Sequence, residues 1–349
     1  ARVAASFSSR TRCFKANGYA DGSGGRNDIE FVIFSSQGNG TDFGDSTAAR
    51  WNACGFSDAT RGLAAGGEYP GTNFFNIIDY VTISTPGNAI DFGDTTLRKY
   101  NSGGASNTRG VFGGGDPAGS NNVIEFITIS TTGDAQDFGD LNVATTYVAG
   151  CSNQTRLVIG GGKPSPSSYT NAISFLTIAS TGNSQNFGDL TLARSNIGAL
   201  ASPTRGIFAG GYTPTMVNNI DFVTIASTGD AQDFGDITES TGTNSTQCGS
   251  STKGIIWGGY PAGTNIDSLI IASKGNTVKF GDSTIDLGYR NCTSDTVRGV
   301  SGGGQDGPGD TNTIEFITIA SDGDAVDFGD LTTTLHNSGA CFSNGHGGL

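Results

Sequence analysis

Short runs in which apolar and polar residues alternate are cut, all along the chain, by clusters of glycine, serine, threonine and proline. Alternation of this kind marks strands with one buried face, and no stretch carries the spacing of an amphipathic helix. The clearest unit runs from 193 to 237. Residues 197–202 form a short apolar run and predict an innermost strand. Ser202-Pro203-Thr204 predicts a turn, and 205–209 a second strand leading to Gly210-Gly211. Residues 219–226 are rich in β-branched side chains and predict a third strand. Ser227-Thr228-Gly229-Asp230 is a hairpin signal, and 231–234 predicts a short outer strand ending in Gly235-Asp236.

This unit recurs. Phe-Gly-Asp stands at Phe43, Phe92, Phe138, Phe187, Phe234, Phe280 and Phe328, at intervals of 46 to 49 residues. A second marker keeps its own phase at Arg12, Arg61, Arg109, Arg156, Arg205, Lys253 and Arg298. Each opens an apolar run ending in a small-residue pair such as Gly210-Gly211, Gly258-Gly259 or Gly302-Gly303. Such repeats, each with a sheet face it cannot bury alone, predict an all-β chain. The expected architecture is one domain over residues 1–349, a single seven-bladed β-propeller with four antiparallel strands per blade. Closing the ring is what hides the flanks.

Within that frame the repeated Phe is expected to pack between blades. The glycine pairs are expected where blades converge near the axis and a Cβ would collide. Asp45, Asp94, Asp140, Asp189, Asp236, Asp282 and Asp330 are expected to accept from the repeated arginines or from turn amides. Innermost-strand candidates number eight, because 3–8 and 335–343 bracket six internal ones. Either the last replaces the first or one end lies outside the ring. The chain starts in mid-repeat without Met, which predicts a longer native product.

Charge narrows the partners. A net charge of −13 argues against nucleic acid, whose phosphates need clustered Lys and Arg. No apolar run reaches the length of a membrane-spanning helix, so no membrane insertion is expected. Fifty-six glycines without a G-X-Y period fit many turns rather than collagen. Among the six cysteines, Cys151, Cys248 and Cys341 share one repeat phase where Leu200 or Phe56 stands elsewhere. They read as small buried hydrophobes. Cys13, Cys54 and Cys292 fall at other phases, and no CxxC pair supports zinc.

The order Gly210-Gly211, Phe222, Thr228-Gly229-Asp230, Phe234 resembles the kelch repeat, with Phe where kelch units usually carry Tyr and Trp. The resemblance covers the whole chain and implies a kelch-like propeller. The wording from Thr224 to Asp236 is also similar to repeat proteins of viruses that infect marine cyanobacteria. That likeness implies a virion structural or fibre-associated protein, extracellular on a virion surface, whose partners are other virion or assembly subunits and a host glycan or surface protein.

Chemistry is sparse. Five copies of Asp-Phe-Gly, with Asn186 and Lys279 in the first place of the other two repeats, and no strand lysine or His-Arg-Asp exclude a kinase reading. The two histidines, His336 and His346, both lie in the tail, which leaves copper oxidases and hydrolase triads without ligands or base. Glu30, Glu125 and Glu315 share one phase before an aromatic, which reads as structural; a paired-carboxylate glycosidase is the enzyme alternative. No cofactor is expected. Calcium would suit only the acidic segments 21–28 and 306–310, and neither has a spaced ligand pattern.

The loops after the glycine pairs (19–26, 68–76, 116–122, 163–171, 212–218, 260–265 and 305–312) vary most, and strand order puts them on one face. They carry Tyr19, Tyr69, Phe74, Phe75, Tyr169, Tyr212 and Tyr260 among small polar residues. Aromatics on a rigid scaffold suit a glycan or protein surface. The expected function is therefore a non-enzymatic binding or display module using that face. The alternatives are a purely structural scaffold and loops that merely vary, with rings folded back on the propeller.

Overall fold

A computed structural model describes residues 5–8, 11–20, 24–69, 73–96, 102–106, 108–115, 121–241, 246–259, 261–306 and 309–335. Its strands form seven antiparallel sheets of four main strands each. The first blade is Ala5–Ser8, Arg12–Ala20, Gly24–Ile33 and Thr41–Arg50. The fifth is Gly198–Ala201, Arg205–Ala209, Val217–Thr224 and Gln232–Thr241. The seventh is Asn291–Ser294, Arg298–Gly302, Gly309–Thr318 and Val326–Leu335. Innermost strands contact one another in sequence, and Ala5–Ser8 closes the circle against Asn291–Ser294.

Every blade is thus continuous in sequence. Ala5–Ser8 fills the innermost place of the first blade, and Leu335 ends the outermost strand of the seventh. The other candidate at 336–343 lies outside the described residues. The outer strand of the fifth blade also runs longer than expected, Gln232–Thr241.

Phe-Gly-Asp is a joint between blades. Its Phe is 2–3% exposed in all seven blades. The glycine sits at a register shift in the outer strand, as between Asp91 and Gly93. Against it lies the hairpin of the next blade. Gly229 N donates to Phe187 O at 2.7 Å, Ala231 N to Asp189 O at 2.8 Å, and Asp189 N to Asp230 Oδ1 at 3.1 Å. The ring-closing joint is built alike, with Gly38 N to Phe328 O at 2.8 Å and Asp330 N to Asn39 Oδ1 at 3.2 Å.

The repeated arginines do not pair with the repeated aspartates. Arg156 lies 4.6 Å over Phe175, and Phe175 meets Phe187 edge-on at 5.8 Å. Its Nη1 donates to Ile225 O of the next blade at 2.9 Å. A planar guanidinium can stack and bond outward at once, whereas the aspartate side chains stay exposed or half-buried at the rim. The sixth blade has Ser268 in place of the third-strand aromatic. There Lys253 sits 4.7 Å over Phe280 and reaches Asp322 at 2.5 Å.

Nearer the axis, blades match by size. A Cβ on Gly254 would lie 2.8 Å from Leu200, one on Gly110 3.0 Å from Phe56, and one on Gly206 2.6 Å from Cys151 Sγ. In the fourth blade buried Leu157 holds the glycine's place, opposite the blade that carries Gly104. At the closing joint Thr293 and Cys13 line a crevice together with Phe14, Phe31 and Val300. Cys54, Cys151 and Cys248 are free thiols, and burial pushes those of Cys54 and Cys151 up to about 12.

Candidate functional face

The glycine pairs lie where each second strand leaves its blade. Their backbone is left-handed, as at Gly210 (φ 63°) and Gly211 (φ 116°). In the seventh blade the left-handed pair is Gly303-Gly304, one residue later than expected, and the first blade uses Asn17-Gly18. Axial convergence is not the reason. A Cβ on Gly211 would sit 2.9 Å from Ser195 O, on Gly67 2.7 Å from Trp51 O, and on Gly304 2.7 Å from Gly288 O. Those carbonyls belong to the crossover arriving from the preceding blade. Glycine is needed because two backbones pass there.

Crossovers and loops therefore share one face. Each described crossover has a left-handed residue seven positions after the repeated Asp: Asn52, Tyr147, Asn196 and Tyr289, at φ 52–57°. Asn tolerates this conformation, but for Tyr it costs about 1–2 kcal/mol. Tyr147 is 39% exposed. Asn196 N donates to Tyr147 O at 3.2 Å, so adjacent crossovers touch. These residues were not among the expected binders, although their fixed offset from Phe-Gly-Asp would have located them.

The expected aromatics form two groups rather than one site. Tyr19 meets Trp51 edge-on at 4.9 Å, and Trp51 lies 6.2 Å from Tyr69. Trp51 Nε1 donates to Glu68 Oε1 at 2.9 Å. Tyr69 is 39% exposed and covers the backbone of Gly25 in the first blade. Phe74 and Phe75 are half-buried beside it, on the turn opened by Glu68–Tyr69 and Asn73–Phe74. Far around the ring, Tyr169 and Tyr212 stand 6.2 Å apart with Lys163 Nζ 5.1 Å over Tyr169. Tyr260 lies outside the described residues.

The phased acids join blades beneath this face. Glu30, Glu125 and Glu315 share their place with Asp79, Asp221 and Asp267, all at most 2% exposed. Each accepts from the outer strand of the preceding blade, as Thr332 N does to Glu30 at 2.8 Å and Thr96 N to Glu125 at 2.6 Å. Arg50 and Arg194 complete two of these joints at 2.8 and 2.9 Å. Arg290 reaches Glu315 from three residues beyond the corresponding Leu287.

Among the described residues no group of three or more His, Cys, Asp or Glu could hold a metal ion. Residues 21–23 and 307–308 of the acidic segments lie outside that set. Asp28 is already engaged, with Lys15 Nζ at 2.5 Å, Arg26 Nε at 2.9 Å and Thr333 Oγ1 at 3.2 Å. Burial would raise its pKa, but attraction and hydrogen bonds from Lys15 and Arg26 outweigh that and bring it down to about 2. A carboxylate depressed in the folded state stabilises above its unfolded pKa and loses that contribution as pH falls through the folded value. Between pH 4 and 2 the wild type should lose about 2 kcal/mol more stability than Asp28→Asn, measured by urea melts at both ends. Equal losses would refute the Asp28 assignment.

No family model and no curated protein sequence matches the chain. Among solved structures, that of YjhT matches with a TM-score of 0.56 at 11% identity, covering 94% of this chain and 97% of that one. At that identity the similarity is one of fold alone.

Proposed function

We propose that the propeller is a non-enzymatic binding module of an extracellular assembly, a virion surface on the reading its repeat wording favours, and that its loop-and-crossover face holds a glycan. The observation that carries this reading is the pair of tyrosines, Tyr147 and Tyr289, kept at crossovers in a conformation their side chains disfavour. Strain of this kind collects at functional positions. The exposed phenol of Tyr147 offers a flat ring for the C–H face of a sugar, and half-buried Asn196 stands at the same offset in the adjacent crossover. Tyr69 extends the surface outward. The reading requires no cofactor, and the chain's acidity disfavours nucleic acid as the ligand.

A glycan array with the purified protein, followed by titration of the best hit, tests it. Tyr147→Asn keeps a residue that already serves two other crossovers. It should weaken binding about tenfold, the worth of one stacked ring, with no loss of melting temperature. Tyr69→Ala should weaken binding in the same way. A glycan bound equally well by both variants would refute the site. Release of new reducing ends from a bound polysaccharide would instead point to the enzyme alternative.

A further inference from the structure

The second aromatic group and the strained Tyr147 belong to one bounded patch. Thr146 and Lys163 exchange both backbone bonds, at 3.0 and 2.8 Å, and so do Ser195 and Tyr212, at 2.9 and 2.8 Å. Each pair sets the loop of one blade against the crossover arriving at it, in the fourth blade and then in the fifth. Asn196 N on Tyr147 O at 3.2 Å joins the two crossovers. Tyr169 against Tyr212 at 6.2 Å joins the two loops. Lys163 over Tyr169 at 5.1 Å completes a circuit of contacts. Tyr147, Asn196, Tyr212, Tyr169 and Lys163 therefore surround one stretch of the face across the fourth and fifth blades. Tyr147 is exposed and the other four are half-buried.

Charge here differs from the rest of the molecule. The segments that build the patch, 141–148, 163–171, 190–197 and 212–218, contain no Asp or Glu, on a chain of net charge −13. Four of the other five loops carry at least one, at Asp21, Glu68, Asp116, Asp306 and Asp310. Beneath the patch Arg194 is matched by Asp221 at 2.9 Å. The nearest acid before Tyr147 in the chain is Asp140, on the strand Gln136–Thr145. A strand's rise sets it roughly 17 Å from Thr145, beyond the screening length of about 10 Å. Lys163 thus gives the patch its charge. Its repeat position holds Tyr19, Glu68, Asp116, Tyr212, Tyr260 and Gln305 in the other blades. The fold accepts phenol, acid and amide there, so packing does not require the ammonium. An ammonium is a compact point charge with three donors, and any oxyanion within reach satisfies it.

We propose that this patch selects a glycan residue bearing an acidic group, a carboxylate or a sulfate ester, with Lys163 meeting the anion and Tyr147 the ring. The inference rests on the glycan reading above and adds the charge of the ligand to it. The full chain should bind oligogalacturonate at least tenfold more tightly than the methyl ester of the same oligosaccharide, and added salt should narrow the gap. A sulfated galactan oligosaccharide and its desulfated form are titrated in parallel, and a preference in one pair or the other identifies the acid. Lys163→Gln installs the residue native to this position in the seventh blade. It should bring the ratio of acidic to neutral affinity close to one, whereas Lys163→Arg should keep the ratio. Tyr147→Asn should weaken the acidic and neutral forms alike. A wild type that binds neutral sugars through Tyr147, without preferring the acidic form of either pair, overturns this inference and leaves the glycan reading standing. Binding to no sugar at all overturns both. A preference that survives Lys163→Gln unchanged also overturns the inference.

Discussion

Gly188→Ala should cost the ring about 4–5 kcal/mol, whereas Gly229→Ala, at a glycine with nearly the same backbone angle, should cost about 1–2 kcal/mol. The two φ values are 150° and 152°, so the conformational penalty is shared. Space separates them. A Cβ at Gly188 would stand 2.4 Å from Gly229 O and 2.7 Å from Asp230 N, both backbone atoms of the next blade. A Cβ at Gly229 meets nothing within 4 Å. Relieving the clash means pulling the hairpin away and losing the bonds that Phe187 O and Asp189 O accept. Urea denaturation of the two variants checks this. Equal midpoints would show that the joint between blades is soft.

Arg194→Thr is the second large effect, about 3–5 kcal/mol. Arg194 and Asp221 have fully buried side chains. The guanidinium also donates to Gly210 O at 2.8 Å and Phe208 O at 3.2 Å. Removing it strands a carboxylate whose remaining donors are the amide and hydroxyl of Thr191. The joint between the third and fourth blades shows a neutral solution, with Thr145 and Ser174 at the two places. Arg194→Thr with Asp221→Ser should therefore be more stable than Arg194→Thr alone in the same denaturation assay. A double variant as weak as the single would mean that the aspartate is not the stranded group.

The ring itself was legible from residues. Phe-Gly-Asp and the arginine marker keep phase because each makes a backbone-level contact with the next blade, which tolerates little change. In the fifth blade the second strand falls at Arg205–Ala209 as expected, and the third at Val217–Thr224, shifted by two residues. What escaped were partnerships across blades. Asp221 and Arg194 are 27 residues apart, and Arg290 serves the equivalent role from a displaced position, so no single spacing reveals them. The aromatics of the candidate face were only partly legible. Composition identified Tyr69 and Tyr169, but not that they gather on separate sides. The crossover tyrosines were overlooked because left-handed tyrosine is not an expected motif.

The size matching along the innermost strands bears on how such a chain finds its own shape. Near-identical repeats risk docking on the wrong neighbour, since every hairpin offers the same amides to every outer strand. Leu200 against Gly254, Phe56 against Gly110 and the inverted arrangement at Leu157 make some pairings fit and others collide or gape. The rim supplies a universal fastener, while the hub works as an address that tells one blade which other blade should follow it.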